Sequence, residues 1–319
     1  MGMLLQQVIN GLSIGCIYAL IALGYTMVYG VLRMVNFAHG ELFMAGPLVA
    51  LYLLRFAGVV SGPFSLPVET LTPLRLVGGL LLGLLGAALF SGFLGVLLER
   101  FAFRPLRGAS SQITVLSAMG ASIFLQNAAM LLGGRAKKAF PRLIGTRYYT
   151  IGGAILSNVH ILIAISTVVV VVMLFYLVNR TSLGRCIRAA SENRDVARLM
   201  GVDVNQTIAL VFLVGAGIGG ISGWLYAVYY EQAIYSMGSI VGIKGFTAAV
   251  VGGIGEIAGS AVGGISLGVL ETVLGGYLPI ITNGTLGTEY KDVFTFIVLV
   301  IVLILRPQGF FGRTTESRY

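Results

Sequence analysis

The sequence predicts an all-α fold, a polytopic bundle of transmembrane helices, from three observations. Stretches without a single charged side chain recur at residues 1–32, 76–98, 108–134, 148–179 and 204–230. Each exceeds the roughly 20 apolar residues that a helix needs to cross a hydrocarbon layer, where only a helix or a closed barrel satisfies its own backbone. Hydrophobic residues make up 57% of the 319 and charged residues only 10%, against roughly 25% charged in soluble domains. The 21 lysines and arginines gather in the polar stretches between the apolar runs, as loops that orient a membrane protein do.

In chain order the apolar pattern places spans at 4–29, 35–54, 76–98, 112–132, 161–178, 207–230, 240–251, 257–277 and 293–305. That makes about nine, or eight to ten, because the seventh and ninth are short. The first lacks the basic flank and small-residue cleavage site of a secretory leader and reads as a retained helix. The second opens on a polar run, and its Gly40 and Pro47 would permit a broken helix. The third carries Gly79, Gly83, Ala87, Ser91 and Gly95, and the sixth Gly215, Gly219 and Gly223. Small residues four apart share a helix face and let backbones approach in lipid, as a packing seam or as a moving interface. Stretches 61–73 and 279–288, rich in Gly, Pro and Thr, read as external turns or short surface elements that could form a docking rim. No polar stretch is long enough for a second domain, so residues 1–319 are expected to form one transmembrane domain with a cytoplasmic loop at 179–206.

If every span crosses, Arg33, the cluster Arg100, Arg104 and Arg107, the five arginines between 180 and 198, and Arg306, Arg313 and Arg318 share one side, which is then cytoplasmic. Arg135, Lys137, Lys138, Arg142 and Arg147 fall on the opposite side, against that rule. The net charge of +9 belongs to this loop pattern, and nucleic acid is not expected as a partner. The sequence has no G-x-x-x-x-G-K-[ST] phosphate loop, no C-x-x-C pair and no G-x-S-x-G elbow, and it has only two histidines, His39 and His160. No catalytic residue, cofactor or metal is therefore expected. Cys16, in the first span, and Cys186, in a basic loop, make poor disulfide partners.

Residues 191–201 read as a short helix. Ser191 is its cap, Glu192 and Asp195 sit near its positive end, Arg198 near its negative end, and Gly201 forms a left-handed stop. Val196, Leu199 and Met200 fall on one face. Two readings stand: docking into a groove of another protein, or lying flat against the membrane or the protein's own base. In the polar run from Asn36 to Glu41 that opens the second span, His39 and Glu41 contact a polar solute, hold a helix break together, or sit as helix-end groups at the cytoplasmic interface. Lys244 and Glu271, each alone in an apolar segment, pair with one another, snorkel, or border such a path.

Four ordered blocks carry a resemblance: Asn36-Phe37-Ala38-His39-Gly40-Glu41 after Tyr25-Thr26-Met27-Val28-Tyr29-Gly30; the loop from Leu183-Gly184-Arg185 to Met200-Gly201; Phe246-Thr247-Ala248-Ala249-Val250-Val251-Gly252-Gly253-Ile254-Gly255; and Arg306-Pro307-Gln308-Gly309-Phe310-Phe311-Gly312. Together they resemble the inner-membrane permease of bacterial branched-chain amino acid ABC importers. The resemblance implies a multi-pass subunit of the inner membrane that lies in the lipid bilayer beside a second, similar permease. It further implies two cytoplasmic ATPase subunits that hydrolyse the ATP and a periplasmic solute-binding protein that delivers the solute. The 191–201 helix, with Ser191, Glu192, Arg194, Asp195, Val196, Leu199 and Gly201, then looks like the coupling helix that sits in a cleft of the ATPase. Asn36, His39, Glu41, Lys244 and Glu271 become candidates for the translocation pathway. Ala189-Ala190 followed by Gly201 is similar to the loop signature of importer permeases, although Arg188 stands where that signature has a glutamate. Within the resemblance, urea or a short amide is the alternative cargo. Outside it stand an autonomous secondary transporter or channel, marked by nucleotide-free flux, and a membrane enzyme using His39 and Glu41. Two polar groups without a nucleophile or metal make a thin active site for the enzyme.

Overall fold

A computed structural model describes residues 2–59, 73–145, 147–306 and 308–311. Its helices are α1 (Gly2–Leu32), α2 (His39–Phe56), α3 (Pro73–Leu98), α4 (Ser111–Gly133), α5 (Asn158–Arg180), α6 (Ser182–Glu192), α7 (Arg194–Leu199), α8 (Val204–Tyr230), α9 (Met237–Gly252), α10 (Ile257–Ile281) and α11 (Lys291–Leu305). Two small antiparallel pairings accompany them: β1 (Lys138–Ala139) with β4 (Gln232–Ala233), and β2 (Tyr148–Ile151) with β3 (Ala154–Ser157).

Each of the nine apolar segments of the sequence coincides with one helix. Six are long and apolar enough to cross a bilayer: α1, α3 with its continuation to Leu106, α4, α5, α8 and α10. The helices α2, α9 and α11, of 18, 16 and 15 residues, are shorter or less apolar. Pro47 does not break α2, which runs unbroken from His39 to Phe56. The interruption lies before it, where Arg33 turns left-handed at φ 57° and ends α1.

Glycine sets the spacing of the central helices. A Cβ on Gly15 would lie 2.7 Å from the Cα of Ile265, so α1 and α10 meet backbone to backbone. The small-residue stripe of α3 packs on α8: Trp224 covers Gly83, and Ala87 and Ser91 lie against Gly220. It is a packing seam, filled and largely dry, with Ala87 and Ser91 both at 0% exposure. By contrast α4 and α5 bury few of their residues.

The bundle has two distinct ends. One gathers the last turn of α1, the helices α6 and α7, the starts of α8 and α10, and residues 308–311. There Phe310 and Phe311 donate their backbone N–H groups to Val251 and Gly252. The other end carries both strand pairs. At that end Arg142 pairs with Glu231 at 2.8 Å, and Lys138 donates to the Tyr52 hydroxyl at 2.5 Å. The loop of Arg135, Lys137, Lys138, Arg142 and Arg147 thus lies opposite Arg194. The 61–73 rim lies outside the described residues apart from Pro73, as do Pro307, Gly312, Arg313 and Arg318.

Candidate functional site

Two places concentrate the sequence's candidate residues. The first is the loop between α5 and α8. Thr181 opens α6 by accepting the Gly184 N–H on its side chain, and the chain turns so tightly that a Cβ on Gly184 would meet the Val178 carbonyl oxygen. The guanidinium of Arg188 donates to that same carbonyl.

The single helix expected at 191–201 is two helices. Ser191 and Glu192 close α6, and the Ser191 hydroxyl donates to the Arg188 carbonyl instead of capping a helix. The cap belongs to Asn193, whose Oδ1 accepts the N–H groups of Asp195 and Val196 at 2.9 and 3.2 Å. Its extended backbone, φ −153°, breaks the chain between the helices. Asn is among the best N-caps, so Asn193 outcompetes a serine two residues earlier.

The short helix α7 is held from below and open above. Arg194 donates to the carbonyls of Val31 and Leu32, both at 2.9 Å, placing a cation on the orphan carbonyls at the C-terminus of α1. Burial lowers the Arg194 pKa; nearby Arg198 adds to this and Asp195 opposes it. Ala197 is buried, whereas Val196 is 52% exposed, Leu199 86% and Met200 79%. Asp195 and Arg198 pair on the surface, and Gly201 takes the left-handed φ of 81° that ends the segment. Asp203 then caps α8. Beside this base Arg107 bridges Glu99 and Asn205, tying the end of α3 to the first turn of α8. Burial pulls the Arg107 pKa down, while the charge of Glu99 pushes it up.

The second place is the interior. Asn36, His39 and Glu41 are all buried, at 2%, 0% and 1% exposure, so none of them is open to solvent. Asn36 Oδ1 accepts the Ala38 N–H and shapes the turn into α2. His39 fills a slot between α1 and α8: a Cβ on Gly24 would come 2.3 Å from its Nε2, and Tyr25 stacks on its ring with centroids 4.6 Å apart. Gly24 lies eight residues before the end of α1, about 12 Å along the helix, so α2 begins well inside the bundle.

Glu41 joins three helices. Its Oε1 accepts from Ser122 of α4 at 3.3 Å and from Ser239 of α9 at 3.1 Å, and Gln126 donates to Ser239 at 2.9 Å. Its Oε2 is buried without a hydrogen bond among the described residues.

Lys244 and Glu271 do pair, at 2.8 Å, inside a larger cluster. Lys244 also lies 2.8 Å from Asp292, Lys291 lies 3.0 Å from Glu271, and Tyr18 donates to Glu271 at 2.9 Å. The cluster is a clamp among α1, α9, α10 and α11, separate from Glu41. Sequence reading passed over Asn193, Ser122, Gln126, Ser239, Tyr18 and Asp292. For Asn193 the capping preference was an available signal; a lone Ser or Gln in an apolar span carries none.

Apolar helices of spanning length, polar groups held between them, and a paired short-helix loop at one end define a polytopic α-helical membrane protein. The family model described as branched-chain amino acid transport system, permease component, matches residues 7–303. The chain belongs to that family. It is 39% identical over 316 residues to the high-affinity branched-chain amino acid transport system permease protein BraD of Pseudomonas aeruginosa, covering 97% of this chain and 96% of that one. LivH of Escherichia coli K12, named for the same system, is 36% identical with the same coverage. A probable branched-chain amino acid transport permease of Methanocaldococcus jannaschii is 28% identical over 92% of this chain and 88% of its own.

Proposed function

We propose that this chain is the membrane-spanning permease subunit of an ATP-driven importer that moves branched-chain or other aliphatic amino acids into the cytoplasm. Residues 1–319 act as one transmembrane unit of about nine membrane segments in a bacterial inner membrane, with the Arg194 end inside. Two cytoplasmic ATPase subunits supply the force, a second, similar permease completes the path, and a periplasmic solute-binding protein delivers the solute.

One observation carries this reading: the exposed apolar face of α7, Val196, Leu199 and Met200, on a helix that Arg194 fastens to the end of α1. A short helix held this way is a rigid contact, and leaving three apolar side chains in water is unfavourable unless a partner covers them. Motion of an ATPase pressed on α7 would reach α1 directly through Arg194. The family membership and the relatives' named transport systems support the solute class.

The test is reconstitution. The chain is co-expressed with the ATPase and permease subunits and placed in proteoliposomes with the binding protein. ATP-dependent leucine uptake that requires every partner is expected. Leucine flux from the chain alone, without nucleotide, overturns the reading.

A further inference from the structure

The buried carboxylates of the bundle differ in how they are neutralised. Three carboxylates are buried among the described residues: Glu41, Glu99 and Glu271. Arg107 neutralises Glu99, and Lys244 and Lys291 neutralise Glu271. Glu41 has no basic partner there. Its Oε1 takes two hydroxyl groups, and its Oε2 takes none. A buried carboxylate without a counter-ion is costly and at membrane depth marks a functional position. Beside Oε2 the wall is glycine, and a Cβ on Gly238 would stand 2.8 Å from it.

The surroundings change character along α9. Ser239, at its upper end, is part of the polar group with Glu41, Ser122 and Gln126. One turn further Ile243 is 52% exposed, and Ile240 beside it 59%. Residues three and four apart share a helix face, so Ser239 and Ile243 form one stripe, about 6 Å from end to end. Phe246 continues it, with its ring 6.0 Å from that of Phe37. A carboxyl end and an apolar end at that separation complement an ammonium group carrying an aliphatic side chain.

We infer that Glu41, with Ser122 and Ser239, receives the α-ammonium group of the transported amino acid, while the α9 stripe of Ile240, Ile243 and Phe246 receives its aliphatic side chain. This deepens the importer reading and rests on it for the solute class. Glu41 is a binding residue here, and Gln126 positions Ser239.

The experiment reads protection of a thiol. Ile243→Cys is placed in a chain carrying Cys16→Ser and Cys186→Ser, purified with its permease and ATPase partners, and its reaction rate with a maleimide is measured. The probes are leucine, 3-methylbutylamine, which keeps the ammonium and the side chain, and 4-methylpentanoate, which lacks the ammonium. Leucine and the amine are expected to slow the reaction about tenfold at saturation, the acid not at all, and Glu41→Gln is expected to remove the protection; tenfold corresponds to about 1.4 kcal/mol. Protection by none of the three, equal protection by the acid, or protection that survives Glu41→Gln overturns the subsite. Ile240→Cys serves as a second reporter should Ile243→Cys fail to assemble. Wild-type uptake is measured alongside. ATP-driven uptake without amine protection rejects the subsite alone, and amine protection without ATP-driven uptake rejects the importer reading alone.

Discussion

The guanidinium of Arg194 lies 2.9 Å from the carbonyl oxygen of Leu32, joining the first turn of α7 to the last turn of α1 across 162 residues of chain. The bond does two things at once. It satisfies a carbonyl that the end of α1 leaves open, and it gives α7 a fixed bearing on the helix most deeply buried in the bundle.

That link is expected to transmit force. Arg194→Ala removes both bonds from its Nη2, each a charge-assisted bond of about 1.5–3 kcal/mol, and frees the first turn of α7 from the end of α1. ATP-driven uptake should fall about tenfold or more while the ATPase rate persists, measured side by side in proteoliposomes. Parallel loss of both activities would place Arg194 in assembly instead.

The exposed face of α7 supplies the second prediction. Burying a leucine or valine side chain contributes about 1.5–3 kcal/mol, and an aspartate in its place brings an unpaired charge into the contact. The double variant Val196→Asp with Leu199→Asp should insert normally and lose the ATPase during co-purification in mild detergent. Retention of the ATPase with normal uptake would refute the docking role.

Packing on α8 is tight enough to be tested by volume. A Cβ at Gly83 would come 2.6 Å from Trp224 Nε1, so Gly83→Leu must displace the Trp224 ring or push α3 from α8, at about 1–3 kcal/mol. The melting temperature in detergent should drop by several degrees. Gly78→Leu, where no atom lies within 4 Å of the new Cβ, is the control and should melt like the parent.

The clamp of Lys244, Glu271, Lys291 and Asp292 predicts non-additivity. Breaking a buried ion pair by removing one partner costs about 3–5 kcal/mol, because a charge is left behind. Glu271→Gln and Lys244→Met should each lower the unfolding midpoint, and the double variant should lower it by less than their sum. Additive losses would show that the two residues act independently.

The helices and their order were legible from composition because lipid leaves a chain few options. A run of some twenty residues without charge must close its own hydrogen bonds, and helix is the local way to do so. The placing of Val196, Leu199 and Met200 on one face and the stop at Gly201 followed from helix periodicity and from the conformational freedom of glycine, which are properties of neighbours in the chain, whereas the exposure of that face came from the structure.

Long-range geometry settled the rest. Nothing in the run around His39 says that Gly24 and Gly219 open a slot for its ring, or that Glu41 sits among Ser122, Ser239 and Gln126 from two other helices. Lys244 finds Glu271 and Asp292 only because α9, α10 and α11 pack together. Asn193 lay between the two readings: its capping preference is local, yet the tether that gives its helix a bearing joins Arg194 to a carbonyl far away in the chain. Hydrophobic patterning reports which medium a segment prefers. Which polar groups meet is decided by the registers at which the helices pack, and those depend on side-chain volumes from every helix at once.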